Sequence, residues 1–99
     1  MIMNFTVSII MPSLNEELNI ERAVNDVVSA FETLNISGEI IVVNDGSTDR
    51  TKEIVQKMME NIDYLRIISH SEPTGIGFSF WDGVLNAKKE VVMLVPGDG

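Results

Sequence analysis

The chain has 99 residues, no cysteine, and 15 acidic against 7 basic side chains, a formal net charge of -8. That length holds one small domain around a single core and is too short for two lobes enclosing a deep cleft. The acidic excess argues against nucleic acid, whose binding draws on Lys and Arg, and the missing cysteines exclude disulfides, thiolate metal sites and a cysteine nucleophile.

An apolar fraction of 44% with 22% charged residues is globular composition. The opening MIMNFTVSII lacks a basic n-region and a small-residue cleavage site, and no apolar run reaches the length of a membrane span. A cytoplasmic segment is the expectation.

Phe5 to Met11 is a β-rich run that predicts a first strand, closed by Pro12, which has no N–H for a ladder. From about Glu17 to Leu34, the residues Ile20, Val24, Val27, Val28, Phe31 and Leu34 recur at helical spacing, leaving Glu17, Glu21 and Asp26 as a solvated face. Ser13 to Glu16 reads as a capping box at the start of that helix, and Gly38 lies beyond its end.

Glu39 to Asn44 is a nearly continuous apolar run, the pattern of a strand covered on both faces of a parallel sheet. Asp45 to Asp49 supplies a turn and an N-cap, and Ile54, Val55, Met58 and Met59 mark a second helix. Asp63 to His70 predicts a third strand, Ser71 to Gly77 a loop, Phe78 to Lys89 a third helix with Trp81, Val84 and Leu85 inward, and Glu90 to Val95 a fourth strand. Strand and helix alternate, so the expected class is α/β: a three-layer arrangement with helices on the faces of a parallel sheet of about four strands.

Ligands of open parallel sheets bind outside the carboxyl ends of the strands, where strand order reverses. That edge collects Pro12 to Glu16, Asn44 to Ser47, Ser71 to Gly77 and Pro96 to Asp98, and each of these four segments carries a carboxylate. Clustered carboxylates repel a bare anion, whereas a magnesium or manganese diphosphate satisfies both the acids and the anion. Gly46 and Ser47 permit close backbone approach at a helix start that favours negative charge. His70 has no second histidine or cysteine beside it to share a metal.

The strings VSIIMPSLNEE, IIVVNDGSTDRT, TGIG and VVMLVPGDG, in this order, resemble the N-terminal half of a family-two glycosyltransferase. That family has the GT-A nucleotide-diphospho-sugar transferase fold and includes dolichyl- and polyprenyl-phosphate sugar transferases, so the resemblance implies a Rossmann-like sheet in the order 3-2-1-4, the truncated nucleotide-binding part of that fold. The resemblance implies that Pro12, Ser13, Asn15 and Glu16 line the nucleotide base and ribose. Asn44, Asp45, Gly46 and Ser47 join them, with Asp45 accepting a hydrogen bond from the base. It implies that Gly75 and Gly77 form the turn before the third helix, and that Asp98, as the second acid of a D-x-D motif, holds Mg2+ or Mn2+ on the diphosphate.

Three positions depart from the family pattern. Leu14 stands where an aromatic side chain is usual, Asn44 replaces the first acid of a D-D pair, and Pro96 replaces the first acid of the D-x-D motif. The last change implies weakened or altered metal dependence.

Residues 1–99 are thus expected to be the donor-binding half of a hexosyltransferase. It would use a UDP- or GDP-sugar for inverting transfer to an acceptor such as a polyprenyl or dolichyl phosphate or a glycan. The whole protein would then sit at the cytoplasmic face of a membrane. No residue matching the family's catalytic base occurs before Gly99, so the isolated half is expected to be inactive, and its unpaired fourth strand invites homodimerisation. The competing expectation is a non-catalytic α/β module, including a degenerate transferase kept as a scaffold.

Overall fold

The computed structural model describes residues 5–98. The elements are β1 (Thr6–Ser13), α1 (Ile20–Leu34), β2 (Ser37–Asp45), α2 (Thr51–Met58), β3 (Leu65–His70), α3 (Ile76–Asn86) and β4 (Val91–Leu94). All strand pairs are parallel and the sheet order is β3-β2-β1-β4, as expected for three right-handed βα crossovers.

The pleat explains why the inner strands are apolar at nearly every position. Val7, Ile9 and Met11 of β1 and Ile40 and Val42 of β2 face one layer, where they pack with Ile20, Val24, Val27 and Phe31 of α1 and Val55 of α2. Ile10, Ile41 and Val43 face the other layer, against Phe80 of α3. Successive side chains of a strand point to opposite faces, so a strand covered on both sides has no polar phase. Burial of each such side chain contributes about 1.5–3 kcal/mol, which makes β1 and β2 the mechanical centre.

The structure corrects several local expectations. β1 runs through Pro12 to Ser13, pairing Pro12 with Val43 and Ser13 with Asn44. The proline is tolerated because its C=O, and therefore its missing N–H, faces the β4 side, where the Gly97 N–H donates to the Pro12 carbonyl at 3.0 Å beyond the last paired residue of β4.

The expected capping box is absent. α1 begins at Ile20 with Asn19 as N-cap and no side-chain cap, while the Ser13 hydroxyl donates to the Met11 carbonyl at 3.2 Å. The Glu16 carbonyl accepts from the Asn19 and Ile20 N–H groups, so a turn precedes the helix and Glu17 lies outside it. α1 ends at Asn35, which has φ 53 in the left-handed region, and Leu34 is exposed. At α2 the N-cap is Arg50, and the Thr51 N–H donates instead to the Asp49 carboxylate at 2.9 Å.

α3 is rotated relative to its expected facing. Trp81 and Leu85 are 60% and 68% exposed, Val84 is half-buried, and the face against the sheet is Ser79, Phe80 and Gly83. A Cβ at Gly83 would run into the Ile10 side chain, so the small residue sets how closely helix and sheet approach. Among the described residues, no helix is long and apolar enough to cross a membrane.

At the opposite end from the loops discussed below, Glu39 is buried and joins four segments. Its carboxylate accepts from the Ser8 hydroxyl at 2.6 Å, from Arg66 Nη2 at 2.8 Å and from the Lys88 N–H at 2.7 Å. Burial pushes this carboxyl up, and the bonds from Ser8, Lys88 and Arg66 outweigh it, leaving it below its ordinary value. A depressed carboxyl stabilises the fold above its unfolded pKa and loses that contribution as pH falls through the folded value. Glu39→Ala is expected to cost about 3 kcal/mol in denaturant unfolding at pH 7, by stranding the Arg66 charge and the Ser8 hydroxyl. The gap to the unsubstituted chain should narrow in acid.

Candidate functional site

The carboxyl edge of the sheet encloses a cleft of about 270 Å3. Pro12, Ser13, Leu14 and Glu16 come from the end of β1 and its loop, Asp45 from the end of β2, and Pro73, Gly75, Ile76 and Ser79 from the loop into α3 and its first turn. Pro96, Gly97 and Asp98 close the cleft beyond β4. The cleft thus opens between β1 and β4, where the order of the strands reverses.

Asp45 is only 4% exposed, and its carboxylate holds the loop after β3. Oδ1 accepts from the Thr74 N–H at 2.9 Å, the Thr74 hydroxyl at 2.6 Å and His70 Nδ1 at 2.8 Å, while Oδ2 accepts from the Gly75 N–H at 2.8 Å. Burial alone would raise this carboxyl; the bonds from Thr74, His70 and Gly75 outweigh it and hold it well below the usual carboxylate range. Asp45 therefore stays ionised at any physiological pH.

His70 is the register partner of Asp45 across the β2–β3 pair. Its Nε2 lies 2.7 Å from the Asp82 carboxylate of α3, and the Phe78 ring meets it edge-on. Bonds to Asp82 and Asp45 raise the imidazole above its ordinary value against the opposing effect of burial.

A second set of bonds fastens the β1 loop to the β2 turn. Asn15, with φ 54, accepts from the Thr48 N–H at 2.8 Å and the Asp49 N–H at 3.3 Å, and its own N–H donates to Ser47 Oγ at 3.0 Å. The Glu16 N–H donates to Thr51 Oγ1 at 2.9 Å and the Glu17 N–H to Asp49 Oδ2 at 3.1 Å. Asn44 is buried, accepts from the Ser47 N–H at 3.2 Å and donates to Ser69 Oγ at 3.3 Å. Asp49 is held below its ordinary value because bonds led by Thr51 outweigh its burial.

Two glycines allow the close approaches. Gly46, at φ 77, lies against the Glu72–Pro73 backbone where a Cβ would collide. A Cβ on Gly97 would strike Ser13 and come within 3.2 Å of Ile20 Cδ1, so Gly97 lets the last segment close over β1 and sets Pro96 and Asp98 at the mouth.

Of the residues singled out in the sequence, Pro12, Ser13, Glu16, Asp45, Gly75 and Asp98 line the cleft. Asn15, Asn44, Gly46 and Ser47 do not; they build the turns behind it. The sequence reading missed Ser79, His70 and Asp82. Ser79 lines the cleft, is fully buried, and its Oγ has no hydrogen-bond partner among the described residues. The available signal was a serine one turn after Gly75 on a helix otherwise apolar at its start.

A dolichyl-phosphate beta-glucosyltransferase of Trichomonas vaginalis is 32% identical over 98 residues, covering 94% of this chain and 30% of that protein. The chain thus spans less than a third of that relative. The fold matches a mannosyltransferase from Pyrobaculum calidifontis, solved with GDP-Man and Mn2+, with a TM-score of 0.84 at 23% identity, over 97% of this chain and 28% of that one. It also matches glucosyl-3-phosphoglycerate synthase from Mycobacterium tuberculosis, solved with Mn2+, UDP and glucosyl-3-phosphoglycerate, with a TM-score of 0.73 at 26% identity, over 95% and 34% of the chains. The model of glycosyl transferase family 2 matches residues 8–99, and the chain, with its β3-β2-β1-β4 sheet and carboxyl-edge cleft, belongs to that family.

Proposed function

We propose that residues 1–99 form the donor-binding half of a GT-A glycosyltransferase and that the cleft takes the nucleoside diphosphate of a sugar donor. The observation that carries this reading is the cleft's position where strand order reverses, with ionised Asp45 and the unpartnered Ser79 hydroxyl on its wall. The UDP complex of the similar mycobacterial synthase supports it.

In this reading the base and ribose lie against Pro12, Ser13, Leu14 and Glu16. An ionised carboxylate offers about four lone-pair sites, and Thr74, His70 and Gly75 already bring four donors to Asp45, so a base N–H would have to take the place on Oδ2 of the Thr74 N–H, which is shared between Oδ1 at 2.9 Å and Oδ2 at 3.0 Å. Such a charge-assisted bond contributes about 1.5–3 kcal/mol and discriminates between bases. Ser79 Oγ supplies a further hydrogen bond to the nucleoside.

A bare diphosphate meets Glu16, Asp45, Asp98 and a chain of net charge -8. Among the described residues, no group of three His, Cys, Asp or Glu side chains could hold a metal ion by itself. That donor set fits an ion arriving with the diphosphate, because magnesium commonly uses one or two carboxylates plus phosphate oxygens and waters. Asp98 would hold it, and when bound the ion stabilises the negative charge of the departing diphosphate. The manganese complex of the mycobacterial synthase supports Mg2+ or Mn2+ in this role.

The similar dolichyl-phosphate glucosyltransferase supports a lipid phosphate as acceptor, in an inverting transfer whose base lies outside these residues. The chain alone is expected to bind donor without transferring sugar. Pro96, in the place of a carboxylate at the mouth, favours a second reading in which the cleft binds nucleotide without metal and serves as a scaffold.

Calorimetric titration with UDP, GDP and their sugars separates these readings. Mn2+ is expected to strengthen binding about tenfold or more, and Asp98→Ala to abolish that gain while keeping metal-free binding. Binding indifferent to Mn2+ would favour the scaffold, and no binding of any of them would remove the donor reading. Ser79→Ala is expected to stabilise the ligand-free chain by about 1 kcal/mol, because a buried unpaired hydroxyl is lost, and to weaken nucleotide binding about fivefold. Thermal unfolding and calorimetry check the two effects.

A further inference from the structure

We propose that His70 is a positioning residue that works as an imidazolium, clamped between Asp45 and Asp82, and that this clamp holds the Pro73–Gly75 wall and Asp45 in their donor-binding arrangement. The inference rests on the reading of the cleft as a nucleotide site.

The geometry is two-sided. Nδ1 lies 2.8 Å from Asp45 Oδ1 and Nε2 lies 2.7 Å from Asp82 Oδ2. Ionised carboxylates only accept hydrogen bonds, and a neutral imidazole has one N–H to donate, so both contacts are made at once only when both ring nitrogens carry protons. The ring is 14% exposed, so the charge pairs are shielded from solvent.

The surrounding groups support this. Asp45 comes from β2 and Asp82 from α3. The loop contributes the Thr74 hydroxyl, 3.2 Å from Nδ1, and Glu72, which is exposed and makes no bond to the ring; Phe78 of α3 covers one edge. Among the described residues, neither carboxylate has a Lys or Arg partner, so His70 is the cation that balances them. Loss of one proton ends both ion pairs and leaves a single N–H, so the ring keeps a hydrogen bond to Asp82 or to Asp45 but not to both. Either the tie between β3 and α3 or the tie to Asp45 is then broken, and the cleft wall loosens.

The raised pKa of His70 sets the direction of the effect. Its stabilisation is complete below the ordinary imidazole value and is lost as pH rises through the folded value. Nucleotide binding should follow the same curve.

The chain has one histidine, so a proton NMR titration of the imidazole reads His70 without ambiguity. The expected midpoint lies above the ordinary imidazole value, and UDP or GDP affinity should be about tenfold weaker one pH unit above that midpoint. Asp82→Asn, outside the cleft lining, should lower both the NMR midpoint and the midpoint of the binding curve by the same amount. The nucleotide's own phosphate titrates identically against both proteins, so their difference isolates the clamp. An NMR midpoint at or below the ordinary value overturns the clamp, whatever the ligand. A raised midpoint with pH-independent nucleotide affinity overturns its role in binding. Failure of UDP and GDP to bind at any pH, with the raised midpoint present, instead removes the nucleotide reading.

Discussion

The carboxylate of Asp45 is the constraint on which the site depends. It ends β2, lies almost wholly buried, and gathers N–H and O–H donors from Thr74 and Gly75 and a ring nitrogen from His70. An ionised carboxylate leaves water only when its lone pairs are met, so the loop after β3 is drawn onto the end of β2. That loop then becomes a wall of the cleft, and α3 starts from it at Ile76. Gly46 permits the approach, since any Cβ there would meet the loop backbone.

The opposite wall is built by different physics. Asn15, Ser47, Thr48, Asp49 and Thr51 exchange hydrogen bonds that fasten the β1 loop to the β2 turn, and of these residues Thr51 is buried while the others are partly or fully exposed. Each contributes only about 0.5–1.5 kcal/mol, yet together they fix where Pro12 to Glu16 face. The third side, Pro96 to Asp98, follows β4 and is held by the Gly97 N–H on the Pro12 carbonyl. A proposed donor nucleotide would meet a rigid face from β1, a charge-clamped face from β2, β3 and α3, and a mouth carrying one carboxylate.

The strand and helix order was readable in the amino-acid pattern because parallel strands buried on both faces leave long apolar runs. The facing of α3 was not readable. Ile76, Phe78, Phe80, Trp81, Val84 and Leu85 surround the helix with apolar residues, so periodicity marks no single face. The buried face carries Ser79 and Gly83, and at Gly83 the close approach of Ile10 requires the small residue. The capping-box pattern at Ser13 to Glu16 misled for a related reason: β1 extends to Ser13, whose hydroxyl turns back to Met11.

Sequence alone determined the α/β class and the segments that meet at the carboxyl edge, because hydrophobic periodicity and chain connectivity are local properties, and the order β3-β2-β1-β4 was implied by the family resemblance. It also marked Asp45 and Asp98 as the acids of that edge. Only the tertiary structure decided how Asp45 is held there. Asp45 and His70 are 25 residues apart and meet because the β2–β3 register places them opposite one another, while Asp82 reaches the same ring from a helix whose rotation depends on side-chain volume against the sheet. Ser79 was turned into the cleft by that same rotation, and no local pattern encodes a contact made by packing.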